Sequence, residues 1–168
     1  MFEGGGENME TFFEKISSYN IVNYMLPGAI FSIFSEKWVG YNIIHENVLY
    51  ALFVVYFIGL VISRIGSVAI EPLLKKIKFV KFTSYENYVK QERKDQKIKI
   101  LSEHNNMFRT LLTTMILLIL SKAYKLLSVK FCFSQYDNII LLVGLLVLFL
   151  FSYRKQTLYI NKRVNIND

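Results

Sequence analysis

Cysteine is almost missing from this sequence. Cys132 is the only one, which excludes an intrachain disulfide and a thiolate metal cluster. Flanked by Phe131 and Phe133, it reads as a small buried hydrophobe. Histidine occurs twice, at His45 and His104, with neither a neighbouring cysteine nor a carboxylate pair, so a metal site is not expected. The glycines at residues 4–6 lack the strand, helix and lysine of a phosphate loop. No serine sits in a nucleophile elbow, and no paired acids occur within an apolar stretch. No catalytic residue, metal or cofactor is therefore assigned, and the sequence reads as a non-enzyme. A cleavable leader is not expected either. MFEGGGENME carries acids where a basic region would stand, and a chain inserted through its own spans is the expectation.

What is abundant is apolar sequence in blocks. Of 168 residues, 53% are hydrophobic and 15% aromatic, and charges are sparse inside the blocks. The clearest block runs from Val48 to Glu71. It opens on sixteen residues without a charge, Val48 to Ser63, before Arg64. About 20 apolar helical residues cross a bilayer core of roughly 30 Å, so this segment spans if Arg64 snorkels at an edge. Ile139 to Tyr153, stopped at Arg154-Lys155, is a second such block. Thr110 to Ser121 becomes a full span when counted from Asn106 to Val129. Ile21 to Phe34, extended to Trp38, is the remaining one, with Pro27-Gly28 expected to kink or break it. A re-entrant segment competes with a crossing there.

The resulting expectation is an all-α integral membrane protein of four transmembrane helices with a helical cytoplasmic hairpin between the second and third. Its parts are a polar or amphipathic segment (residues 1–20), spans 1 and 2 (21–70), the basic hairpin (71–109), spans 3 and 4 (110–153) and a basic tail (154–168). In the first part, Met9, Phe12, Phe13 and Ile16 share one helical face, suited to the interface or to packing on the protein itself. Within the hairpin, Thr83-Ser84-Tyr85-Glu86 has the form of a capping box, predicting a helix from there toward Ile98, Leu101 and Asn105. Residues 130–138 are expected to form a turn. The net charge of +7 fits the basic bias of cytoplasmic loops. With both termini and residues 71–109 on one side, that side holds sixteen of the twenty Lys and Arg residues. Both termini are thus expected in the cytoplasm.

Polar residues at span ends are the candidate functional groups. Arg64 and Glu71 lie seven apart on one helix face, while Asn105, Asn106 and Arg109 stand where the third span begins. The two groups are expected to meet in a charged junction. Gly59, Ser63 and Ser67, with Gly66 beside them, form a small-residue row for close helix packing, either within one subunit or between copies. Lys75, Lys76, Lys78 and Lys81 offer a site for anionic lipid, or for a nucleotide or oligonucleotide.

The runs SRIGSVAIEPLLKK and YENYVKQERKDQKIKILSEHNNMFRTL carry a resemblance over about residues 20 to 120. Arg64-Ile65-Gly66, Glu71-Pro72, Lys97-Ile98, Asn105-Asn106 followed by Arg109, and Tyr24-Met25-Leu26-Pro27-Gly28 are its matching features. On these the chain resembles small multi-span membrane proteins of bacterial anti-phage defence operons, such as the membrane effector of Hailong-type systems. The resemblance implies a homo-oligomeric, ion-channel-like effector that depolarises the membrane under control of a nucleotide-derived ligand or a soluble partner. A tetramer is the expected assembly. The alternative is a non-conducting anchor or regulatory subunit that recruits a soluble partner through residues 71–109.

Overall fold

The computed structural model describes residues 18–41, 43, 47–131 and 137–165. The expected N-terminal amphipathic helix, His45 and Cys132 lie outside the described residues. Every regular element among the described residues is helical. Helix α1 is Ser18–Phe34, followed by a π turn at Ser35–Val39. Helix α2, Val48–Ile65, passes through a second π turn at Gly66–Ile70 into α3, Glu71–Lys76. A short α4, Tyr85–Glu92, precedes the long α5, Lys97–Phe131, and α6, Asp137–Val164, completes the chain.

Three helices are long and apolar enough to cross a membrane: Val48–Lys76, Lys97–Ser128 and Asp137–Val164. Helix α1, at 17 residues, covers only about 26 Å at 1.5 Å per residue. It runs unbroken through Pro27 and Gly28, so the expected break is not there. The physical reason is lateral support. Pro27 is buried, and a Cβ on Gly28 would lie 1.9 Å from the Val55 carbonyl oxygen. Reciprocally, a Cβ on Gly59 would lie 1.7 Å from the Tyr24 carbonyl oxygen. The two backbones touch along this seam, and α2 braces the proline turn from outside. This first helical segment leaves α geometry at Ser35–Val39, beyond the proline, where Gly40 then takes φ 81° and ends it.

Helix α5 packs into the same bundle through small hydroxyl residues. Thr110, Thr113 and Thr114 are fully buried and donate to the carbonyl oxygens of Asn106, Arg109 and Thr110 at 2.8, 2.8 and 2.9 Å. Their polarity is thus satisfied within the helix, leaving methyl groups for contact. Ser63 stands 3.5 Å from Thr110 Oγ1, and Gly66 leaves room for Thr113. The small-residue row of α2 is accordingly spent within the subunit, Gly59 on α1 and Ser63 and Gly66 on α5.

Between α3 and α5 the chain differs from its sequence-based outline in three ways. Ser84 caps α4, its Oγ accepting from the Asn87 amide at 3.3 Å, so the cap is one residue later than the Thr83 box. The helix then stops at Glu92 instead of running to Asn105, because the Asp95 carboxylate takes the Lys97 amide at 2.9 Å and starts a new helix. From Lys97 that helix continues without interruption into the span, for 35 residues or about 52 Å. Likewise α6 passes through Arg154-Lys155 to Val164, because lysine and arginine are good helix formers and their charge marks only the end of the apolar stretch. Helix α5 also extends through Lys130 to Phe131, shortening the expected turn.

Ser84→Ala is expected to speed amide exchange across α4 about five-fold, the equivalent of about 1 kcal/mol for a lost cap, with Thr83→Ala leaving it unchanged. Site-resolved hydrogen exchange in detergent checks this, and equal effects at both positions would refute the assignment.

No residue in the apolar window of α6 is fully buried against the rest of the subunit. The polar ties of α6 lie at its start and in its C-terminal half. Asp137 accepts from the Tyr124 hydroxyl at 2.5 Å, and its last turns meet α4 through Tyr85–Tyr159 rings 5.4 Å apart and Arg163–Glu92 at 3.8 Å.

Candidate functional site at the Glu71 junction

Glu71 opens α3 directly after the π turn and is 6% exposed. A carboxylate so far from water needs compensation, and three helices supply it. Arg109 Nη1 of α5 donates to its Oε2 at 2.5 Å, and Lys75 Nζ, one turn along α3, donates to Oε1 at 2.7 Å. Lys155 Nζ of α6 stands 3.8 Å from Oε1. Three cations surround one anion, so the junction keeps a surplus of two positive charges.

Lys155 is held there by a backbone defect. In the π turn the Glu71 amide donates to the Gly66 carbonyl. The next amide in that register would belong to residue 72, which is Pro72 and has none. The Ser67 carbonyl is left for Lys155 Nζ, which donates to it at 2.6 Å and to Ser67 Oγ at 2.8 Å. The first π turn is closed comparably, with Lys122 donating to the Trp38 carbonyl and Lys125 to that of Val39.

Around this knot lies a cleft of about 480 Å³. Phe82, Tyr85, Tyr88 and Tyr159 wall it, with the amides of Asn105 and Asn106 on the α5 side. Lys75 Nζ lies 4.1 Å over the Phe82 ring and Lys155 Nζ 5.8 Å over that of Tyr159. Arg109 Nε is buried and has no hydrogen-bond partner among the described residues. Surplus positive charge, donors and aromatic faces in one concavity suit an anion with a flat apolar part.

Of the junction residues read from sequence, Glu71, Asn105, Asn106 and Arg109 come together here. Arg64 does not join them. It is half-buried and is not a partner of Glu71, because two turns, about 10 Å, and the intervening π turn separate them. The lysine group is split. Lys75 enters the cleft, whereas Lys76, Lys78 and Lys81 are exposed outside it. Lys155, Tyr159 and Lys162 are not legible as site residues from hydropathy, which stops at Arg154. Continued as a helix, their spacing of four and three places them on one face, which is the signal that finds them. Tyr85 and Tyr88 stand on α4 behind its cap, in sight of the sequence but without a motif. No protein-family model matches this chain, and no curated protein or solved structure matches it either.

Proposed function

We propose that this chain is an oligomeric effector of a bacterial inner membrane that permeabilises or depolarises the membrane when a cytoplasmic ligand or partner engages the Glu71 cleft. One observation carries the reading: a single buried carboxylate ties together three helices that are each long and apolar enough to span. An anionic ligand competes with Glu71 for Lys75, Arg109 and Lys155, and so loosens α6 from α3 and α5. Phosphates are bound by the same side chains, and the tyrosines offer stacking faces, which supports a nucleotide or oligonucleotide.

Helix α1 with its π turn makes a fourth crossing beside α2, which returns both termini to the side rich in lysine and arginine, the cytoplasm. Residues 71–109 then form a cytoplasmic unit of α3, α4 and the first turns of α5. Helices α1 and α2 touch backbone to backbone and α5 packs on α2 through Thr110 and Thr113, so conduction requires several copies, of which four is the favoured number. The uncovered apolar window of α6 supports such an assembly. The role in anti-phage defence rests on the resemblance in residues 20 to 120.

The test is leakage from dye-loaded liposomes holding the full chain, challenged with nucleoside triphosphates and short single-stranded oligonucleotides. Leakage is expected with at least one probe, and Lys75→Gln, which removes a cleft cation without cutting the α6 tie, is expected to raise the concentration needed at least ten-fold. A silent membrane under every probe would overturn the reading. Co-purification of a soluble protein, lost when charges in residues 71–109 are reversed, would then establish the anchor in its place.

A further inference from the structure

The lysines left outside the cleft belong to a surface of different character. Helix α3 ends in a Schellman turn in which the Phe79 amide donates to the Leu74 carbonyl at 3.0 Å and the Lys78 amide to that of Lys75 at 3.0 Å. The left-handed position of this turn, φ 60°, is filled by Lys78, the one non-glycine residue with positive φ among the described residues. Glycine adopts that conformation without strain, so the fold uses a charged side chain where backbone chemistry asks for none. The turn throws Phe79 outward. It is 75% exposed, with Ile77 at 61% and Leu73 at 54%. Phe79 nevertheless borders Phe108 and Leu112, which belong to the outer apolar surface of α5. An apolar tip continuous with a spanning face and ringed by Lys76, Lys78 and Lys81 has a known physical match: a leaflet boundary, where rings enter the acyl region and ammonium groups meet phosphates.

From this placement we propose that residues 76–81 form an anchor for anionic phospholipid in the leaflet beside the cleft. Ile77 and Phe79 enter the headgroup boundary, and Lys76, Lys78 and Lys81 bind lipid phosphate. The inference rests on Val48–Lys76 crossing a bilayer but not on conduction. Since Phe82 belongs to the cleft wall, the anchor fixes one wall of the cleft at the membrane surface while α6 provides another.

The experiment uses the full chain with Trp38→Phe and Phe79→Trp, reconstituted in phosphatidylcholine vesicles with a minor fraction of phosphatidylglycerol. Bromine is placed shallowly on the chains of one lipid or the other. The tryptophan at 79 is expected to be quenched, and more strongly by brominated phosphatidylglycerol than its abundance dictates. Lys76→Gln, Lys78→Gln and Lys81→Gln are each expected to reduce that preference about five-fold. A second protein, with Trp38→Phe and Leu142→Trp, reports the span itself. If position 142 is quenched and position 79 is not, the anchor is overturned. Iodide access at 79 then identifies a solvated loop, and iodide exclusion identifies cover by a second copy. If position 142 also escapes quenching, the anchor is overturned, and the membrane reading falls with it where iodide reaches position 142.

Discussion

Glu71→Gln is expected to lower the unfolding free energy by about 3–5 kcal/mol, the cost of leaving buried cations without their counter-charge. The substitution preserves shape, so the loss is electrostatic. Arg109, Lys75 and Lys155 then face one another across a neutral amide. Lys75, 40% exposed at its side chain, turns to water more readily than Lys155 at 26%, which keeps its bonds to Ser67. The measurement is a denaturation midpoint in mild detergent, read beside Arg109→Met and the double variant. The double variant is expected to be more stable than Glu71→Gln alone, because it removes one of the orphaned charges. A midpoint within a degree of wild type for Glu71→Gln would refute the buried junction.

Gly59→Leu is expected to cost on the order of 3 kcal/mol or more and to yield aggregated protein in detergent. The neighbour is backbone, since even a single Cβ meets the Tyr24 carbonyl at 1.7 Å, so no side chain can swing aside and the helices themselves must separate. Gly144 supplies the control on α6, where a Cβ would meet nothing within 4 Å. Gly144→Ala is expected to leave stability unchanged or raised by up to about 1 kcal/mol, through helix propensity alone. Thermal melts and size-exclusion profiles separate the two cases. Equal tolerance at positions 59 and 144 would mean that α1 and α2 do not pack along this seam.

The helices were legible in the sequence where burial of charge decides the matter. Val48 to Ser63 carries none over sixteen residues, and water cannot be the solvent of such a surface. Glu71 and Arg109 were legible for the same reason, since charges at span ends are costly unless they find each other. The ends of helices were less so, because several residues satisfy the same local rule. Thr83 and Ser84 are both capable caps, and the geometry of the incoming chain selects Ser84. Asp95 ends one helix and begins another within a run of charges whose periodicity hides the boundary. Arg154-Lys155 looked like a stop because hydropathy ends there, but helix propensity does not. Lys155 therefore escaped notice, and its attraction to the Ser67 carbonyl depends on a π turn that no residue pattern announces.

That π turn sets the phase of everything after it. Five residues stand where an α-helix would fit about four, so Gly66–Ile70 carries one residue more than a regular turn. The surplus keeps two faces in phase with different neighbours, one holding Val55 and Gly59 against α1, the other turning Glu71 toward α5 and α6. Deleting any one residue of the five would restore a regular helix and swing Glu71 by about 100° around the axis. The number of residues between Gly59 and Glu71 therefore decides whether one helix can serve both contacts.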